Sequence, residues 1–264
     1  MLRNLAGLVR YRGLIQSLVA RELKARYRGS VLGFFWSFIN PLLLMLVYSF
    51  VFKNLLAARY EGIDHYELFL FCGLLPWTWF STSLLESSGV LISGGNLIKK
   101  VLFPAEVLPI VTVLANMVHF FLGLPILVGF LVFYWRPITL AEIAWFPVVV
   151  IVQAIFTLGW ALILSALTVH FRDIRDILGH ILTIWFFATP VIYPYTVMTK
   201  HWQQGLLNLN PMSHVIITYQ EILYFPGPVG HWVWLVAVGV ASPVFFLFGY
   251  WVFDRLRDTF AEEV

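Results

Sequence analysis

Charge is scarce in this chain. Asp, Glu, Lys and Arg make up 12% of its 264 residues, about half the share in an ordinary soluble protein. Cysteine is scarcer still: Cys72 stands alone, which excludes an internal disulfide and any cluster of cysteine metal ligands. No G-x-x-x-x-G-K-S/T run occurs, so the chain does not cradle a nucleotide in a phosphate loop. A G-x-S-x-G elbow and an H-E-x-x-H helix are also missing, as are internal repeats and low-complexity tracts. No A-x-A site follows the first apolar run, which is in any case longer than a signal core, so a cleaved signal peptide is not expected. Ionisable groups hardly enter the apolar runs. Glu86 and Glu106 sit near run ends, and His119 is the one such group far inside. Secondary transporters keep charges there for ion coupling, at about 2.5–3.5 kcal/mol each. Anything this chain moves is therefore driven by energy from outside it.

Apolar residues are what the chain has most of, at 60%. The 22 residues from Val31 to Phe52 carry no charge, and as a helix they would span the roughly 30 Å of a bilayer's hydrocarbon core. Seven of the 17 Lys and Arg residues lie in the 28 positions at the start. Lys and Arg stay on the cytoplasmic side of a membrane, so the chain begins inside and crosses outward. Further runs follow at Leu68–Leu85, Val107–Trp135, Ile143–Phe171, Ile177–Thr199 and Trp232–Phe253. Six crossings return Arg255 and Arg257 to the side of the N-terminus. Thirteen cations then fall inside, and only Lys53, Arg59, Arg136 and Lys200 outside. That asymmetry accounts for the basic charge without any nucleic-acid partner.

The expected fold is an all-α integral membrane protein with six transmembrane helices, in a single domain over residues 1–264. Residues 1–30 form a cytoplasmic amphipathic interface helix, 31–254 the six-crossing bundle and 255–264 a cytoplasmic tail. Residues 191–230 lie outside yet are apolar and broken by Pro194, Pro211, Pro226 and Pro228. Short re-entrant helices before the last crossing fit that pattern, because backbone at membrane depth must be buried against protein. A small amphipathic cap on the outer surface is the alternative.

Three segments are candidates for function. At about 100° per residue, Arg10, Arg21, Lys24 and Arg28 share one arc of the N-terminal helix, with Leu8, Tyr11, Ile15, Leu18, Val19 and Leu23 opposite. Such a helix lies among lipid headgroups, as an anchor alone or also touching a cytoplasmic partner. Arg12 and Arg26 break the arc and are assigned to snorkelling. In the loop after the second crossing, Gly94 and Gly95 allow a turn, Asn96 suits an N-cap and Pro104 ends any helix. The short helix Asn96, Leu97, Ile98, Lys99, Lys100, Val101, Leu102, Phe103 suits a partner's groove, or rests on lipid. Finally, His170, Asp173 and Asp176 could hold a metal beside a lipid phosphate, in a membrane enzyme acting on a lipid-linked sugar. Arg172 and Arg175 alternate with these acids, so local ion pairing explains them too.

A family resemblance rests on four runs. Arg26-Tyr27-Arg28-Gly29-Ser30-Val31-Leu32-Gly33-Phe34-Phe35-Trp36-Ser37-Phe38-Ile39-Asn40-Pro41 resembles the start of polysaccharide-exporting type-2 ABC transporter permeases. His170-Phe171-Arg172-Asp173-Ile174, Thr189-Pro190-Val191-Ile192-Tyr193-Pro194, and Asn210-Pro211 with Tyr219-Gln220 resemble later signatures of the same group, in the same order. The resemblance implies a homodimeric permease in the bacterial inner membrane, pairing with two copies of a separate ATPase that binds ATP and Mg. This chain would hold no cofactor and catalyse nothing. Its substrate would be a lipid-linked polysaccharide such as O-antigen, with capsule and teichoic acid exporters as relatives. By the same resemblance, Asn96 to Phe103 is the coupling helix, and crossings one and five wall the glycan path through Phe35, Phe38, Trp185, Tyr193 and Tyr195. Each of those rings has facing lipid or packing within the bundle as its alternative role.

Overall fold

The computed structural model of the chain describes residues 11–26, 28–55, 60–100, 103–136, 139–225 and 227–263, with backbone alone at 34, 98, 100, 141, 261 and 262. Arg10, Val101 and Leu102, named above, lie outside the described residues. Every regular element among them is helical. Helix α1 is Arg12–Arg26, and α2 (Trp36–Ser49) runs on through a wider π turn, Phe50–Leu55. Then come α3 (Tyr66–Ser93), α4 (Gly95–Lys100), α5 (Val107–Phe133), α6 (Leu140–His170) and α7 (Ile174–Ala188). The order closes with α8 (His201–Leu209), α9 (Pro211–Leu223), α10 (Trp232–Leu256) and the short α11 (Phe260–Glu263).

Five helices are long and apolar enough to cross a membrane: Trp36–Leu55, Tyr66–Ser93, Val107–Phe133, Glu142–His170 and Trp232–Thr259. They match five of the six apolar runs. The remaining run, 177–199, is only partly helical. Helix α7 has 15 residues and so rises about 22 Å, short of the roughly 30 Å a crossing requires. Thr189 is already extended, the conformation favoured before a proline, and the helix ends ahead of Pro190.

Helix α3 is the centre of the bundle and packs against α2, α5, α6, α7 and α9. From Leu68 to Leu75 it is buried on every side, which is why its sequence is apolar all round. Helices α6 and α10 lie closest together, where a Cβ on Gly249 would sit 2.5 Å from the Gly159 carbonyl oxygen. Lipid is as apolar as leucine, so helix pairs gain from close packing of small residues instead of from escaping water. Helix α2 is the least buried of the five, with Leu43, Val47 and Phe50 exposed.

Polar side chains secure the helix ends and breaks. Gln153 Nε2 donates to the Pro76 carbonyl at 2.8 Å, tying α6 to α3 beside the proline. Lys53 pairs with Glu67 at 2.5 Å, tying the end of α2 to the start of α3. Thr139 and Glu142 form a capping box at the start of α6, each accepting the other's backbone N–H at 3.3 and 2.6 Å. Helix α9 is buried almost throughout, against α3 and α6, whereas α8 buries only Leu207.

Candidate functional site

Helix α1 lies along α5, presenting Ile15, Leu18, Val19 and Leu23 inward while Arg21 and Lys24 stay exposed. Arg28 is exposed beyond the helix end. Arg21 and Lys24 thus share the exposed side of α1, whereas Arg28 falls past its end, and Arg26 does not snorkel. It turns into the bundle, where Nη2 donates to Glu86 Oε2 at 2.7 Å and Nη1 to Asn116 Oδ1 at 3.1 Å. Asn116 Nδ2 donates to the same Glu86 oxygen at 2.7 Å, closing a ring across α1, α3 and α5. The correction has a simple cause: Glu86 and Asn116 face Arg26 at that depth, so the guanidinium finds a carboxylate nearer than water. The exceptional place of Arg26 on the helical wheel was the available signal. A cavity of about 310 Å³ adjoins this ring, with Ser37, Asn40, Thr78, Thr82 and His119 among its lining.

The loop helix α4 begins at Gly95, one residue before the expected N-cap Asn96, because Leu97 N–H bonds the Gly94 carbonyl at 2.8 Å. Asn96 and Lys99 are exposed and Leu97 is half-buried. Phe103 packs on a small cluster that includes Leu91, Leu108, Tyr250 and Phe260. The C-terminal α11 rests on α4. A single residue, Gly94, separates α4 from the long α3.

Two of the three later sequence signatures converge in space. Asn210 caps α9, accepting from Met212 N–H at 3.1 Å. The same oxygen accepts from Trp185 Nε1 at 2.8 Å, and Asn210 Nδ2 donates to Thr189 Oγ1 at 2.9 Å. Thr189 in turn donates to the Trp185 carbonyl at 2.8 Å. Gln220 Nε2 donates to the Pro190 carbonyl, also at 2.8 Å. These bonds anchor the break after α7 to both ends of α9. Trp185 thus packs inside the bundle, 5.1 Å from Phe80 and 5.8 Å from Trp160 between ring centres.

Tyr193 donates its hydroxyl to the Phe187 carbonyl at 2.6 Å, and Tyr195 lies 5.6 Å from the His231 ring. His231, outside the long helices, gives its backbone N–H to Glu221 Oε2 at 2.9 Å and stacks against His214. Burial, with His214 as neighbour, pushes the His231 imidazole down to about 4. Burial pushes the Glu221 carboxyl up, partly offset by the backbone N–H groups of His231 and Gly230.

Between α2 and α7, floored by α3, runs a groove of about 330 Å³. Rings of Tyr48, Trp77, Phe186 and Phe187 alternate with hydroxyls of Thr78, Ser81, Thr82 and Thr183. Thr78 and Thr183 donate to carbonyls of their own helices at 2.7 and 2.9 Å, leaving oxygen lone pairs for another donor. No charged side chain lines the groove among the described residues. Such a surface offers many weak contacts and no strong one. None of Phe35, Phe38, Trp185, Tyr193 and Tyr195 is in this lining. Phe35 is exposed at the start of α2, and Phe38 is half-buried one turn on.

The acidic cluster does not assemble. His170 Nε2 lies 2.9 Å from Thr259 Oγ1, and Asp173 precedes α7 without a side-chain cap. No group of three metal-binding side chains, Asp176 included, gathers among the described residues.

Long apolar helices around an uncharged groove fit the membrane-embedded permease component of a transporter. The chain belongs to the ABC-2 type transporter family, whose sequence profile matches residues 13–224. It is 41% identical, over the full length of both chains, to the O-antigen export system permease protein RfbA of Myxococcus xanthus. A Klebsiella pneumoniae protein of the same name is 30% identical over 94% of each chain. The polysialic acid transport protein KpsM of Escherichia coli is 23% identical over 81% of each.

Proposed function

We propose that this chain is the membrane permease of an ATP-driven exporter that carries a lipid-linked polysaccharide, such as an O-antigen, across the bacterial inner membrane. The observation that carries the reading is the 41% identity, end to end, with an O-antigen export permease. The working unit is two copies of this chain with two copies of a separate ATPase. The exposed stripe Ile177, Ile181, Ile184 on α7 and the exposed face of α2 turn toward the second copy, so that paired grooves enclose one path. Helix α7 and the segment after it make the fifth of six crossings, with both termini cytoplasmic. Helices α8 and α9 stand at the outer mouth, dipping into the membrane.

ATP and Mg bind in the partner, whose two subunits close on ATP. Helix α4 receives the push through Leu97 and its neighbours, and α3 passes it to the groove floor. Sugar C–H faces rest on the groove rings while hydroxyls exchange bonds with Thr and Ser oxygens. Contacts this weak and repetitive let a polymer slide. Of the five rings expected on the path, Phe35 and Phe38 are the two on α2 that could meet it from the cytoplasmic side.

Deleting the gene tests this reading. Lipid-linked glycan should accumulate on the cytoplasmic side and vanish from the cell surface, and a plasmid copy should reverse both changes. Surface glycan at normal levels in the deletion strain overturns the assignment.

A further inference from the structure

At the α1 end of the bundle, a second cavity of about 330 Å³ lies between α1, α3, α5 and the start of α7. Its back is apolar, and Arg21, Glu22, Glu86 and Arg175 are its charged groups. Glu86 is already committed to Arg26 and Asn116, each at 2.7 Å. Arg21 and Arg175 have no carboxylate within ion-pairing distance among the described residues. Arg175 reaches the cavity because α3 has glycine where the guanidinium crosses it: a Cβ on Gly89 would lie 3.3 Å from Nη1.

Two unpaired guanidiniums brought to one cavity from different helices repel each other until an anion joins them. Their planar forks of N–H donors match phosphate oxygens in pairs. Their place is the basic end of an integral membrane protein, where lipid phosphate is the abundant anion. With Glu86 neutralised by Arg26, Glu22 alone opposes two cations, and the cavity favours an anion. We propose that this cavity binds a membrane-borne phosphate or diphosphate group, gripped by Arg21 and Arg175. The proposal rests on the exporter reading for one point only. In an exporter, the diphosphate joining a glycan to its lipid carrier is a natural occupant, whereas a bulk phospholipid headgroup has the same chemistry.

The full chain, purified in phosphatidylcholine nanodiscs, is titrated with geranyl diphosphate and with geraniol, which lacks only the phosphates. Wild type should bind the diphosphate and not the alcohol. Arg21→Gln with Arg175→Gln should weaken binding by about tenfold or more, while Arg172→Gln, exposed and outside the cavity, leaves it unchanged. Gly89→Ala keeps both charges but crowds Arg175, and should weaken binding by a smaller factor. It covers the case in which the double variant fails to elute as folded protein. Equal binding of geraniol, wild-type affinity in a folded double variant or, where that variant does not fold, wild-type affinity in Gly89→Ala overturns the site. Repeating the titration with phosphatidylglycerol in the nanodiscs separates the sources. Competition assigns the site to bulk headgroups, and its absence assigns it to the diphosphate carrier. No export is measured, so loss of the exporter reading would leave this result standing.

Discussion

Replacing Asn210 with alanine removes three hydrogen bonds with one substitution. The Trp185 indole N–H and the Met212 backbone N–H lose their shared acceptor, at 2.8 and 3.1 Å, and Thr189 loses a donor at 2.9 Å. An unpaired buried donor costs about 1–3 kcal/mol, and loss of an N-cap about 1 kcal/mol. The bonds share one side chain and do not simply add, so a loss of about 3 kcal/mol is expected. For a chain of this size that lowers the melting temperature by roughly 6–12 °C. Thermal unfolding in detergent, followed by tryptophan fluorescence, measures it. Asn210→Asp keeps the acceptor for Trp185 and Met212 but loses the donor to Thr189, so its loss should be about half as large. The reasoning fails if Asn210→Ala melts with wild type, or if Asn210→Asp is the more damaging change.

Cysteines placed at Gly95 and at Gln204 should label from opposite sides of the membrane, the first from the cytosol; labelling of both from one side contradicts six crossings. Leu97→Asp should abolish export and weaken ATPase capture in a pull-down while the chain still inserts, and normal export would leave α4 with no coupling role. Arg26→Ala should destabilise by about 1–2 kcal/mol, because the pair with Glu86 is partly open to solvent. Arg26→Glu combined with Glu86→Arg should recover part of that loss, and a swap as damaging as the two single changes summed would rule out a direct pair. Acid titration separates His231 from Glu221. The lowered His231 value means that stability falls as pH drops from about 6.5 to about 4. The raised Glu221 value works the other way, since the folded protein takes up that proton first. Glu221→Gln should therefore lose more stability than wild type over that range, and an identical or shallower loss refutes the opposition.

Hydropathy and the bias of Lys and Arg were enough to show an integral membrane protein with long apolar helices. A helix satisfies its own backbone, so its presence in lipid depends on local composition alone. Five of the six runs, the buried helix before the last crossing and the short loop helix were legible for that reason. The break after Ala188 was marked by Pro190, yet the length of the helix before it was not, because charge-free sequence continues past the turn. Side-chain destinations were a different matter. Arg26 meets Glu86 and Asn116 across 60 and 90 residues; its place on the helical wheel set it apart from the other basic residues but named no partner. The contacts of Trp185 with Asn210 and with the rings of Phe80 and Trp160 were likewise not legible, because those partners lie on other segments. The hydroxyls of the groove floor come from α3, a helix apolar enough along its length that no pattern set them apart. Which face of a helix meets which neighbour is settled by packing between distant segments, and only the tertiary structure decides it.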